Sequence, residues 1–132
     1  MSTKDDHLER ARALHRRVPV IAIHDHEPVR EDLDRCLAGG LAGKVHLPVL
    51  DVQIQPDPMP TGPVTAGWAR HALAEFGQSL RELDDSGGKA FLARNAADLE
   101  RAHAEGRLGV LLGAEGGKRI EGSLDLLRAF HA

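Results

Sequence analysis

VPVIAIHDHEP, residues 18–28, decides how the chain is read. Val18, Val20, Ile21 and Ile23 form a short, β-branched, nearly all-apolar run that gives way to charge and a proline. A run of that length and composition is a strand buried on both faces, as in a parallel sheet covered by helices. The residues before it, DDHLERARALHR (5–16), carry Leu8, Ala11, Ala13 and Leu14 among charges. They read as a helix opened by acids and closed by bases, the sense its dipole favours. A second helix is expected near 29–37, stopping at Gly39–Gly40, and KVHLPVLDVQI (44–54) reads as a second strand interrupted at Pro48.

The alternation continues down the chain. Residues 55–63, QPDPMPTGP, hold four prolines and form a loop, since proline neither donates to a ladder nor continues a helix. Trp68, Ala72, Phe76, Leu80 and Leu83 then draw one apolar stripe along a helix predicted over 65–84, ending at the turn DDSGG. KAFLA (89–93) is a third short strand, followed by Asn95 as N-cap with Asp98 in the first turn of a helix that runs to Gly106. Residues 108–112 supply a fourth strand before the glycine-rich turn 113–117, and Ser123 caps a last helix bearing Leu124, Leu127 and Phe130. Four strands alternating with helices predict an α/β fold of about four βα units with parallel strands. In such folds reactive groups gather just beyond the C-terminal ends of strands. That rule selects His24–Glu27 after the first strand and Gly113–Lys118 after the fourth.

Composition narrows the function. The 132 residues are 42% hydrophobic with 17 basic and 20 acidic side chains, a net charge of −3. This is one soluble globular domain with no basic field for nucleic acid or an anionic membrane. The start, MSTKDDHLERAR, has no apolar leader, and no later run approaches a membrane span, so a cytoplasmic chain is expected. The lone Cys36 rules out an internal disulfide and a multi-thiolate metal site, and reads as a small buried hydrophobe. Any metal would therefore be held by nitrogen and oxygen.

His24 and His26 supply the nitrogen. Side chains alternate along a strand, so both point one way and Asp25 the other, and two imidazoles at that spacing can reach one cation. The alternative is a pair of strand-end histidines bonded to backbone or water. Glu115, in LLGAEGGK, is a hard carboxylate at another strand mouth; the alternative is a solvated acid in a glycine turn. A phosphate loop fails because Leu112 and Leu83 stand where the first glycine of each Gly-Gly-Lys motif would have to be. His46 has the parity to face the inside of a barrel, whereas His7, His15, His71, His103 and His131 fall on predicted helices. None of Ser79, Ser86 or Ser123 sits in a nucleophile elbow.

Two of these segments together resemble a known family. ALHRRVPVIAIHDHEP (13–28) is similar to the opening of the membrane dipeptidase (renal dipeptidase) family of zinc peptidases. AADLERAHAEGRLGVLLGAEGGKRIEGSLDLLRAFHA (96–132) resembles that family's helix, strand, E-G-G turn and next helix in order and spacing. The likeness covers roughly half the chain. It implies a TIM-type (β/α)8 barrel of the amidohydrolase kind, two Zn2+ ions or other divalent metals at its mouth, and a small peptide substrate. It implies that His24 is the first metal-binding histidine and that Glu115 bridges the two ions. His26 falls where these enzymes usually carry a metal-binding aspartate, and Lys118 replaces the histidine usual after E-G-G. The family's aromatic-rich second strand reads KVHLPVLDV here. Four strands cannot close an eight-stranded barrel of about 250 residues. The expectation is therefore the N-terminal half of a metallo-dipeptidase, inactive alone, with its own copy or the missing C-terminal half as partner; the competing expectation is a non-catalytic half-barrel that binds a partner or its own copy.

Overall fold

The computed structural model describes residues 3–48 and 67–131. Within them the predicted alternation is present as α1 (Thr3–His15), β1 (Ile21–Asp25), α2 (Val29–Ala38), β2 (Gly43–His46), α3 (Trp68–Asp84), β3 (Ala90–Leu92), α4 (Ala96–Glu105), β4 (Leu108–Leu112) and α5 (Leu124–His131). A 3-10 turn at Gly117–Ile120, which the sequence pattern did not reveal, precedes α5. Residues 49–54 of the second predicted strand, the proline loop 55–63 and the first residues of the third predicted helix lie outside the described residues.

All strand pairs are parallel, as expected. Their order is β1-β2-β4-β3, which departs from the sequential order of four consecutive barrel units. The chain passes β2, forms β3 at the far edge, and returns to lay β4 between them. Crossovers between parallel strands are right-handed, so reversing direction moves the connecting helix to the other face. The contacts agree. Leu108 and Val110 are fully buried against Val29, Leu33 and Cys36 of α2 and Leu83 of α3. The residue between them, Gly109, faces the opposite way: a Cβ placed there would lie 3.1 Å from Leu99 of α4, and one on Gly43 would lie 2.6 Å from it. Glycine at both positions lets α4 lie close over the sheet.

The helix ends follow ordinary capping. Asn95 accepts a 3.0 Å bond from Asp98 N–H at the start of α4, and Gly106 closes the helix in the left-handed region. Asn95→Ala is expected to cost about 1 kcal/mol, measured as a lower urea midpoint at unchanged slope. Ser123 Oγ accepts from Leu126 N–H, as predicted. Glu121, itself at φ 49°, reaches across to accept from Gly67 and Ala69 N–H at the start of α3. This long-range cap ties the turn after β4 to α3.

The apolar stripe of α3 is only partly interior. Trp68, Ala72 and Leu83 are buried and Phe76 stacks edge-on with Phe130, but Leu80 is exposed. Leu8 and Leu14 of α1 are exposed as well, and β1, expected to be buried on both faces, instead lies at a sheet edge with Ile21 and Ile23 exposed. No described helix is long and apolar enough to cross a membrane.

Candidate metal centre

β1 ends in His24 and Asp25, and His26 follows at once. The ladder between β1 and β2 is interrupted between Ala22 and Asp25, a bulge that re-aims the side chains at the strand end. Glu115 arrives three residues after β4. Because β4 lies next to β2, only two strand spacings, about 10 Å, separate the β1 and β4 ends; sequential order would have made it about 14 Å. The unexpected order is what brings the two predicted sites together.

His24 Nε2 and His26 Nε2 stand 2.9 Å apart, and His26 Nε2 is 3.5 Å from Glu115 Oε2. One ligand atom from each of the three residues falls within 4.8 Å of the others. Nitrogen or oxygen ligands at roughly 2.0–2.1 Å from a tetrahedral Zn2+ are about 3.3 Å apart, so small side-chain rotations accommodate an ion. The donor set, two imidazoles and a carboxylate, suits Zn2+ and neighbouring divalent metals. All three groups face solvent.

The tautomer of His26 is set by its other nitrogen. Nδ1 lies 2.8 Å from the carbonyl oxygen of Leu47, which can only accept, so Nδ1 carries the proton. In the neutral ring Nε2 then offers its lone pair toward His24 and Glu115. Fixing one ring nitrogen on a backbone carbonyl is how metal-binding histidines are commonly oriented. A Cβ on Gly113 would lie 2.6 Å from Leu47 Cδ2, the end of a side chain that can turn aside.

Behind β1 lies an ionic cluster that the sequence pattern concealed. Lys44, inside β2, is fully buried and donates to Asp25 Oδ1 at 2.9 Å, Glu27 O at 3.0 Å and Asp32 Oδ2 at 3.3 Å. Arg35 Nε donates to Asp32 Oδ1, and Cys36 Sγ donates to Asp32 Oδ2. Burial opposes ionisation of Asp32, but the bonds from Cys36, Arg35 and Lys44 together hold its carboxyl below the usual range. Burial and the neighbouring Asp32 push the Cys36 thiol up to about 11, so it is the inert buried residue predicted.

His46 does not join the metal centre. It follows Lys44 at a spacing of two and so lies on the α2 and α3 face, and it is not one of the three grouped side chains. It borders a cavity of about 300 Å³ shared with His26, Pro48, Glu75 and Ser79, and its buried Nδ1 has no hydrogen-bond partner among the described residues. Burial, then the Lys44 ammonium, hold its pKa below 6.5. The unfolded chain therefore binds the extra proton more readily. The contribution of a neutral His46 is complete above pH 6.5 and is lost as pH falls from there through the lowered folded value. Urea titrations at pH 7.5 and about 5.5 are expected to show a smaller acid loss in His46→Gln than in the parent. Arg119, also unpredicted, is buried with Nη2 donating to Pro48 O at 2.5 Å; burial lowers its pKa, opposed by Glu75 and Glu115.

Compared with known proteins, the chain matches no protein-family model and no curated protein at a significant level.

Proposed function

We propose that the chain carries one side of a two-metal hydrolytic centre and belongs to a metal-dependent amide hydrolase of the dipeptidase kind. The observation that carries this reading is the convergence of His24, His26 and Glu115 at the C-terminal end of a parallel sheet, with His26 already oriented by Leu47. In this reading His24, His26 and Glu115 are the side chains that would hold metal at this strand end. When bound, such ions supply a water ionised near neutral pH and polarise the scissile carbonyl of a small peptide. The residues present do the holding: Leu47 fixes the ring of His26, and Glu115 offsets part of the added positive charge.

As scaffold we propose a partial TIM-type barrel built on the β1-β2-β4-β3 sheet, with further strands adding at the outer edges of β1 and β3, since β4 is paired on both sides. Closing such a barrel requires α4 to leave the face opposite α2 and α3, where Leu99 packs over Gly43 and Gly109. The resemblance puts further ligands and the catalytic acid on strands other than those that bear His24, His26 and Glu115, so these three groups are not expected to give turnover by themselves. The test is dipeptide hydrolysis with added Zn2+ by a version of the gene extended through those strands. Activity lost on chelation supports the proposal, and an inert, metal-loaded protein contradicts it.

A second reading, self-association of a non-catalytic unit, is favoured by one feature. Ile23 is 79% exposed on β1, whose outer edge pairs with no other described strand. Sedimentation distinguishes the two, because a monomer with cooperative melting removes the need for a partner.

A further inference from the structure

We propose that Lys44 is a positioning residue for the metal centre, acting through Asp25 and Glu27 to hold the turn that presents His24 and His26; the inference rests on the metal-binding reading above. Lys44 is 0% exposed, and its three N–H bonds are all used within the protein. Two of the three acceptors lie in the segment that carries the histidines: Asp25 between them and Glu27 just after. Asp25 Oδ1 also accepts the N–H of Glu27 at 2.8 Å, so carboxylate, backbone and ammonium close one small ring of contacts behind the turn.

The need for such a tie is visible in the ladder. Register between β1 and β2 slips between Ala22 and Asp25, so His24 sits where backbone pairing is interrupted. Lys44 restores the link from the side-chain level. Three residues along the same segment, the Leu47 carbonyl holds His26 Nδ1. The β2 segment thus holds the turn at three places: Lys44 behind Asp25, the Leu47 N–H donating to Asp25 O at 2.8 Å, and the Leu47 carbonyl at the ring of His26.

An ammonium buried in this way is a poor device for stability alone. Replacing a buried ion pair with apolar groups of similar volume is often neutral or stabilising, because desolvation offsets the attraction. Positioning gives a physical reason for an ammonium in the middle of a strand. Asp32, held by Arg35 and Cys36, serves as the counter-charge on the α2 side and touches Lys44 without touching the histidine turn.

The test compares Lys44→Met, Asp25→Ala and Asp32→Asn with the parent chain. Zn2+ affinity is measured by chelator competition, the ligand field by the Co2+ visible spectrum, and stability by urea. Asp25→Ala keeps Lys44 bonded to Asp32 and serves where Lys44→Met folds poorly. In the metal-free chains the protonation of His26 Nδ1 is read from imidazole nitrogen shifts. Lys44→Met and Asp25→Ala are expected to lower Zn2+ affinity about 10- to 100-fold and shift the Co2+ bands, the range seen when groups that orient metal ligands are lost. Asp32→Asn is expected to change stability while leaving affinity within about threefold. Parent-like affinity and His26 nitrogen shifts in both Lys44→Met and Asp25→Ala overturn the inference and leave the metal site standing. Affinity losses that simply track stability across all three variants overturn it too. A parent chain that binds no Zn2+ overturns the metal reading and this inference with it.

Discussion

Replacing His26 with alanine is expected to lower the affinity of the chain for Zn2+ by about 100-fold or more, since apparent binding energies of about 10–16 kcal/mol in four-ligand zinc sites amount to several kcal/mol per ligand. His26 is the most heavily committed of the three groups. Its Nε2 stands 2.9 Å from His24 Nε2 and 3.5 Å from Glu115 Oε2, and its Nδ1 is fixed on Leu47 O. Its removal leaves one imidazole and one carboxylate on different strand ends with nothing between them. His24→Ala is expected to match it. Glu115→Gln, which keeps an oxygen donor and loses the charge, should fall between the parent and the histidine variants. Competition titration against a chromophoric chelator gives all three values on one scale. Because the ligands face solvent, urea stability of the metal-free chain should change by less than about 1 kcal/mol in each variant.

Leu108→Ala is expected to be the most destabilising single truncation in the sheet, by about 2–5 kcal/mol in urea or guanidinium unfolding. Leu108 is 0% exposed and lies in the cluster formed by Val29, Leu33, Cys36, Leu83, Ala90 and Val110, where α2, α3, β3 and β4 meet. A loss of that size is a large part of the roughly 5–15 kcal/mol that stabilises an ordinary domain. Leu80→Ala offers the control. Its side chain belongs to the predicted apolar stripe of α3 yet is exposed, so truncation should cost less than about 1 kcal/mol.

The contrast between these leucines shows what the sequence makes legible. Local pattern located each strand and helix because β-branched runs, Asn95, Ser123 and the glycine turns act within a few residues of where they lie. Strand order was not legible. The placement of β4 beside β2 depends on close packing of Leu99 over Gly43 and Gly109, three residues spread across the chain. The candidate site was legible as two separate strand-end signals, His24 with His26 and Glu115. That they meet follows from the strand order, which the pattern concealed. Lys44 was hidden for a different reason: a lysine in a strand reads as solvent-facing, and only the positions of Asp25 and Asp32 show why this one is buried. Parity places His46 on one face of β2, and that face proves to be the one covered by α2 and α3.

Measuring bound metal tests the central claim most directly. The chain is dialysed against Zn2+ at about 1 µM free ion, then analysed for metal beside the triple variant His24→Ala/His26→Ala/Glu115→Ala. The account predicts about one ion retained per parent chain and none above background in the variant. Absence of retained Zn2+ in the parent, or equal retention in both, would contradict it.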